Sequence, residues 1–228
     1  MVTLRSFDGF PDARVALLPL DGIEPDPERL HPGERPLFET LDATDARRRE
    51  WFAGRIAARA ALTELGYPDV ATSRRDNGAP RLEGEGAEAL HVAITHGKRL
   101  AAAVAAHASG RWPHVGIDVV DAEDLDRVLH VAKRVLTDDE RTRAAADPMH
   151  ARLAWGAREA IAKATNTGMF VFALSRVWTR AVDAQTRTIA VNLEGIQVVY
   201  APLDDGGVLV LAGASKGAYA AAQAAART

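Results

Sequence analysis

The chain has 228 residues, 47% of them hydrophobic and 26% charged, a length and composition that allow a sizeable buried core. Its 28 basic and 31 acidic residues give a net charge of −3, which argues against binding nucleic acid through bulk positive charge. Cysteine is absent, which excludes disulfides, thiolate metal sites and a cysteine nucleophile. The sequence contains no apolar run of signal-peptide or membrane-span type, so we expect a soluble, cytoplasmic protein.

The first half of the chain predicts a strand, a long helix and a hairpin. Val15–Leu20 is a continuous apolar run of strand length. A helical pattern covers Thr44–Leu65, and Gly66 supplies a C-cap. His91–Thr95 and Leu100–His107 then have the composition of two paired strands.

The second half repeats this order of elements. Val115–Val120 is a strand-like apolar run, and Thr137–Glu140 has the form of a capping box that begins a short helix. A longer helix is predicted over Pro148–Thr165, with proline at its first position, and apolar runs separated by turns follow it. We therefore predict an α+β fold of two pseudo-symmetric lobes, residues 1–110 and 111–228. Each lobe is a long helix packed on a small, mostly antiparallel sheet.

The first long helix carries arginines on its apolar side. At 100° per residue, Arg55 and Arg59 fall within the arc that contains Trp51 and Ile56. A guanidinium on a core-facing surface needs an anion or a carboxylate, because an unpaired buried charge is costly. A structural ion pair, a side chain that extends past the apolar edge, and a fork for a phosphate all satisfy this need. The neighbouring run Arg47–Arg49 is typical of a solvated face.

Charged groups also interrupt the apolar pattern elsewhere. Asp118 lies in mid-strand among valine and isoleucine, so it needs a structural partner, a hydrogen-bond network or a metal. Glu159 and Lys163 are four residues apart on one helix face, as in many exposed ion pairs that contribute only a few tenths of a kcal/mol. His96 lies at a turn, where histidine is common. His91 and His96 have no third ligand nearby in the sequence, which argues against zinc.

Five short motifs occur in a fixed order along residues 53–163. They are AGRIAAR from Ala53, GAPRL from Gly78, ITH from Ile94, VGID from Val115 and WGAREAIAK from Trp155. Together they resemble the 4′-phosphopantetheinyl transferase family, and most closely its surfactin-type branch of large, monomeric, pseudo-duplicated members. The strongest signature of that family is G-[IV]-D followed at a set interval by W-x-x-K-E-[AS]-x-x-K. Asp118 and Glu159 have the family's separation.

The resemblance implies transfer of the 4′-phosphopantetheinyl group from coenzyme A to a serine of an acyl or peptidyl carrier protein. Such enzymes serve fatty acid, polyketide or nonribosomal peptide biosynthesis, and the resemblance implies Mg²⁺, with Mn²⁺ as an alternative. Asp118 and Glu159 would bind the metal, and Glu159 would also accept the serine proton. Lys163 would hold a phosphate and assist the leaving group.

The resemblance also implies where coenzyme A binds, in a cleft between the two lobes. Residues 1–110 would form the adenine and 3′-phosphate side, with contacts from Arg55, Thr95 and His96 and from Arg74, which precedes the G-x-P turn. Residues 111–228 would carry the metal and the catalytic helix. The partners expected are coenzyme A and the carrier protein, with no nucleic acid and no membrane, and the chain is expected to be a monomer.

Three positions depart from the family pattern. Arg158 replaces the lysine of the K-E pair, Ala79 replaces the lysine of a G-K-P turn, and Val120 stands where many members carry a second acid. Because residues 118 and 120 share one strand face, we expect Val120 to line the same pocket as Asp118. Two other functions stay open: a non-catalytic relative that binds coenzyme A or a carrier protein, and a nucleic-acid-binding module that uses the arginines.

Overall fold

The computed structural model describes residues 1–75, 78–124, 128–130, 135–168 and 176–227. It divides the chain into two compact units, Met1–Pro113 and His114–Thr228. The boundary lies three residues beyond the predicted one. No helix in the described ranges combines the length and the apolar character that a bilayer crossing requires.

The first unit contains a four-stranded antiparallel sheet, a separate hairpin and one long helix. In chain order its elements are β1 (Thr3–Arg5), β2 (Ala13–Pro19), α1 (Arg35–Glu39), α2 (Asp45–Glu64), β3 (Ala71–Arg74), β4 (Pro80–Glu83), β5 (Leu90–His96) and β6 (Leu100–His107). The sheet order is β1-β2-β6-β5, and β3 pairs only with β4. The predicted strand, long helix and hairpin are confirmed. The β3–β4 hairpin was not predicted, because its sequence is polar and rich in turn residues.

Small residues form the contact between α2 and its sheet. The helix begins after Thr44, whose side-chain oxygen accepts a hydrogen bond from the Arg47 backbone. The alanines of its inner face pack against alternate alanines of β6, among them Ala57, Ala61, Ala101 and Ala103, all fully buried. Alanine on both sides lets the backbones approach closely and bury an entirely apolar layer.

The second unit contains a five-stranded antiparallel sheet and three described helices. Its elements are β7 (His114–Val120), α3 (Asp138–Ala146), α4 (Pro148–Thr165), β8 (Thr179–Asp183), β9 (Thr188–Val191), β10 (Ile196–Pro202), β11 (Val208–Ala214) and α5 (Lys216–Ala225). The sheet order is β7-β11-β10-β9-β8. The predicted capping box at Thr137 and the proline start of α4 are both confirmed. The terminal helix α5 was not predicted.

Both units follow one topology. In each unit a strand precedes the long helix and a hairpin follows it. The second strand of that hairpin pairs antiparallel with the strand before the helix. The pairs are β2 with β6 and β7 with β11, and in each unit the long helix packs on them. The predicted α+β class, with a helix on a mostly antiparallel sheet, is confirmed.

Candidate functional site

Asp118 and Lys163 form an ion pair within the helix–sheet layer of the second unit. The Asp118 carboxylate is 6% exposed and lies on β7, where its residue pairs with Val210 of β11. The Lys163 ammonium, in the last turn of α4, is 2.7 Å from Asp118 Oδ1 and donates to the Ile117 carbonyl at 3.0 Å. The mid-strand aspartate therefore has the partner that its apolar surroundings require.

Two glycines allow α4 to lie close enough to β7 for this contact. A Cβ at Gly116 would be 2.0 Å from the Ala160 carbonyl oxygen, and a Cβ at Gly156 would be 2.7 Å from Val210 Cγ2. A side chain at either position would push the helix away from the sheet. The glycine of the VGID motif thus brings Lys163 within reach of Asp118.

Glu159 adds a second carboxylate on the same side of α4. It lies four residues before Lys163 and three after Gly156, so it shares a helix face with both. Its side chain is half-buried. Within the part of the chain that the structure describes, no group of three histidine, cysteine, aspartate or glutamate side chains could hold a metal ion. Two carboxylates still fit Mg²⁺, which prefers oxygen ligands and usually retains waters beside substrate phosphates.

Val120 belongs to the apolar core of the second unit. It shares the strand face of Asp118, as predicted, but its side chain is 3% exposed within the main apolar cluster of the unit. Its Cγ2 lies 3.2 Å from the position that a Cβ at Gly156 would occupy. That Val120 lines the pocket of Asp118 stays a prediction, and α4, which approaches closely, packs against its side chain.

Arg158, next to Glu159, is a structural residue. It is fully buried and binds Glu140 through two parallel hydrogen bonds of 3.0 and 2.8 Å. Glu140 also accepts from the backbone and hydroxyl of Thr179 and from the backbone of Thr137. Burial alone would raise the pKa of Glu140, but the bonds from Arg158, Thr179 and Thr137 lower it below its ordinary value.

A group of cationic side chains, which we call the cation cluster, lies on the first unit around Arg55. Arg55 is 8% exposed, and its guanidinium carbon lies 4.5 Å from the Trp51 ring centre. Its Nε is buried and has no hydrogen-bond partner among the residues that the structure describes. Burial lowers the pKa of Arg55 to about 10, Glu34 opposes this shift, and Arg74 and Arg47 add to it. A desolvated guanidinium beside other cations is suited to an anionic ligand.

The other members of the cluster are Arg47, Arg74 and His96. Arg47 Nη1 contacts His96 Nε2, and the Glu50 carboxylate lies 3.2 Å from Arg47 and 3.5 Å from His96 Nδ1. The Arg74 guanidinium lies over the turn at Gly78, where a Cβ would be 3.4 Å from Arg74 Nη2. Three of the four coenzyme A contacts predicted on the first unit, Arg55, Arg74 and His96, are therefore in one neighbourhood; the fifth predicted contact, Lys163, lies on the second unit.

Thr95 is the predicted contact of the first unit that lies elsewhere. It is 5% exposed and adjacent to His96 on β5. Side chains alternate along a strand, and Ile94 and His96 share the α2 side with Gly54, so Thr95 points to the opposite face of the sheet.

The Arg47 side chain is exposed, as expected of a solvated face, but its contact with His96 was not predicted. The signal that could have identified it is the spacing Arg47, Trp51, Arg55, which places the three side chains one above another on α2.

Comparisons with known proteins define the class. Residues 37–106 match the family model for the 4′-phosphopantetheinyl transferase N-terminal domain. Residues 114–210 match the model for the 4′-phosphopantetheinyl transferase superfamily. The chain therefore belongs to the 4′-phosphopantetheinyl transferase superfamily, a family of enzymes. The family resemblance that the sequence motifs indicated is confirmed. Its surfactin-type branch stays a prediction.

The similarity to an individual solved structure is low. Among solved structures, the chain is similar to a holo-(acyl-carrier-protein) synthase from Bacillus anthracis in complex with CoA (3′,5′-ADP), with 24% identity and a TM-score of 0.36. That match covers 42% of this chain and 94% of the other. The search of curated proteins gave no match.

Proposed function

We propose that this chain catalyses Mg²⁺-dependent transfer of the 4′-phosphopantetheinyl group from coenzyme A to a serine of an acyl or peptidyl carrier protein. The observation that carries the proposal is the contact of Lys163 with Asp118, with Glu159 one turn away on α4. These three residues are the ones that the family resemblance assigns to the metal and to catalysis. The pattern also agrees with the chemistry of phosphoryl transfer, which depends on positioning and charge stabilisation.

Asp118, Glu159 and Lys163 of the second unit, which we call the acid–lysine group, would act on the pyrophosphate of coenzyme A. The serine oxygen forms a bond to the phosphorus that carries the pantetheine arm, and the pyrophosphate P–O bond breaks to release adenosine 3′,5′-bisphosphate. Glu159 accepts the serine proton as the new bond forms. Lys163 turns from Asp118 toward the departing phosphate and balances its charge. Bound Mg²⁺, held by Asp118 and Glu159, would supply electrostatic stabilisation of the pyrophosphate oxygens.

The cation cluster of the first unit would bind the 3′-phosphate of coenzyme A. Arginine forks suit phosphate geometry, and Arg55 and Arg74 lie near enough to each other to lower the pKa of Arg55. A dianionic phosphate would relieve this repulsion and would pair with the buried Arg55 guanidinium. Arg47 and His96 both lie beside the Glu50 carboxylate and would contact the same phosphate.

Mass spectrometry of an apo carrier protein tests the proposal. The carrier is incubated with this protein, coenzyme A and Mg²⁺, and we expect a gain of one phosphopantetheinyl group on one serine, abolished by EDTA. The Asp118→Asn variant is the matched control, since it keeps the side-chain shape and removes the charge. Binding of coenzyme A without any transfer to several acyl and peptidyl carriers would instead favour the non-catalytic relative, which the substitutions at Ala79 and Val120 suggest.

A monomeric state and a cytoplasmic location stay predictions.

A further inference from the structure

An exposed tryptophan between two exposed arginines lies at the edge of the second sheet. Exposure alternates along this segment: Arg176, Trp178 and Arg180 face solvent, whereas Val177 and Thr179 are 1% and 5% exposed. The Trp178 side chain is 42% exposed, and Arg180 lies on β8, the edge strand. We call Arg176, Trp178 and Arg180 the Arg–Trp–Arg edge.

The backbone of this edge is held rigidly by one side chain. The Trp178 N–H donates to Asn192 Oδ1 at 2.8 Å, and Asn192 Nδ2 donates to the Arg176 carbonyl at 2.8 Å. The Asn192 N–H donates in turn to the Trp178 carbonyl at 3.2 Å. A large aromatic side chain on a fixed backbone loses little conformational entropy when a partner covers it.

The charge of the edge indicates which partner it fits. Neither Arg176 nor Arg180 forms a salt bridge with another residue of the described ranges, although the chain as a whole carries a net charge of −3. Tryptophan and arginine are the residue types most enriched among energetically dominant interface positions. Exposed cations that have no counter-charge among the described residues favour an acidic partner surface and accelerate its association.

The edge is also connected to the catalytic helix by hydrogen bonds. Thr179, the residue between Trp178 and Arg180, donates to Glu140 from its N–H at 2.7 Å and from its hydroxyl at 2.8 Å. Glu140 binds Arg158 on α4, which is the immediate neighbour of Glu159. A protein bound to the edge is therefore held by a surface that is rigidly tied to the helix of Glu159 and Lys163.

We propose that the Arg–Trp–Arg edge is a docking surface for the carrier protein, and that it binds an acidic face of the carrier that also presents an apolar side chain. This inference rests on the proposed function, because it assigns that reaction's protein substrate to a particular surface.

Transfer kinetics and direct binding test the docking surface together. Two variants are compared, Trp178→Ala and the double variant Arg176→Glu/Arg180→Glu, with an apo acyl carrier protein that the parent modifies. Leu37→Ala and Arg5→Glu are the matched controls, because they make the same kinds of change at exposed positions of the first unit. The carrier KM, the coenzyme A KM and the calorimetric Kd for the carrier are measured for each variant.

We expect kcat/KM for the carrier to fall at least about tenfold in both edge variants, with the coenzyme A KM unchanged and both controls at parent values. The loss in the double variant should shrink at high salt, because rim charges act mainly through screened attraction. An unchanged carrier KM and Kd in both edge variants would overturn the docking surface while leaving the transfer reaction intact. Binding of the carrier to the edge without any transfer would refute the proposed function alone. Binding of random DNA, but of no carrier, to the parent would overturn both.

Discussion

Among the described residues each unit buries one glutamate, and the two glutamates are held in the same way. Glu34 Oε1 accepts from the backbone N–H of Thr72 at 2.9 Å and from its hydroxyl. Glu140 Oε1 accepts from the N–H and the hydroxyl of Thr179 at 2.7 and 2.8 Å. Both glutamates precede the long helix of their unit in the chain, and both threonines follow it.

The helix arginines beside these glutamates differ. Arg158 of α4 is bound to Glu140 by two hydrogen bonds and is fully buried. Arg55 of α2 interacts with Glu34 electrostatically but donates no hydrogen bond to another residue within the described ranges, and its pKa is lowered to about 10 by burial. The same position relative to the helix therefore differs between the units: Arg158 is neutralised and supports the fold, whereas Arg55 has no bonded carboxylate in the described ranges, which agrees with the proposed binding of an anion.

Removing the two arginines should lower the stability by very different amounts, and this is the largest effect we expect. Arg158→Ala leaves Glu140 buried without its counter-charge and should lower the free energy of unfolding by about 3–5 kcal/mol. Arg55→Ala removes a desolvated charge and should cost less than about 1 kcal/mol. Urea denaturation of both variants measures the difference. Similar losses in the two would show that Arg55 is a structural residue as well.

The helix–sheet contacts of the two units should tolerate an added methyl group differently. In Gly116→Ala the new Cβ would meet the Ala160 backbone, which cannot move without shifting α4, so we expect a loss of about 3 kcal/mol. In Gly54→Ala the nearest atom is Ile94 Cγ2 at 2.8 Å, a single side-chain methyl group rather than backbone, so the loss should be smaller, about 1–2 kcal/mol. Equal melting temperatures for the two variants would contradict this reading of the glycines.

The acid–lysine group lies in the second unit and has the proposed catalytic role, so replacing its residues should lower turnover. Glu159→Gln and Lys163→Ala should each lower kcat at least about tenfold, whereas an exposed helix pair would change stability only slightly and turnover not at all. Lys216→Ala, at the exposed start of α5, serves as the control. Circular dichroism establishes that the variants are folded before rates are compared. Parent-like turnover in both Glu159→Gln and Lys163→Ala would reject the assignment.

The cation cluster should act on substrate binding. Arg55→Ala is expected to raise the KM for coenzyme A several-fold, on the order of 1 kcal/mol, with little change in kcat. The KM for dephospho-coenzyme A should differ less between the variant and the parent, because this substrate lacks the 3′-phosphate. A parallel rise in KM for both substrates would place Arg55 away from that phosphate.

The smallest effect that we expect is a contribution of Glu140 to the fall of the unfolding free energy at acid pH. Its pKa in the folded protein lies below the ordinary value of 4.5, so its contribution to stability is present above that pH and is lost as the pH falls toward the lowered pKa. Unfolding free energies measured from neutral to acid pH should fall more steeply for the parent than for Glu140→Gln. Glu194→Gln, at an exposed turn, should follow the parent slope.

Much of the fold could be predicted because its signals are local. The caps at Thr44 and Thr137 and the proline at 148 lie within one turn of the ends they specify. The period of the apolar pattern distinguishes strands from helices over a few residues. The β3–β4 hairpin and the terminal helix α5 were missed, because the first is polar and the second, rich in alanine, has few large apolar residues to mark a period.

The amino-acid sequence alone was sufficient for the α+β class, the element order, the family and the separate candidates Asp118, Glu159, Lys163 and Arg55. Tertiary structure was needed to join Asp118 to Lys163 and Arg47 to His96 and to place Val120 in the core. It also distinguished Arg158, which is bonded to Glu140, from Arg55, which donates no hydrogen bond within the described ranges. The physical reason is that a buried charge must find its partner through space. Glu140 and Arg158, or Arg47 and His96, become neighbours only after helices and strands pack, and no local pattern records which carboxylate a given arginine will meet.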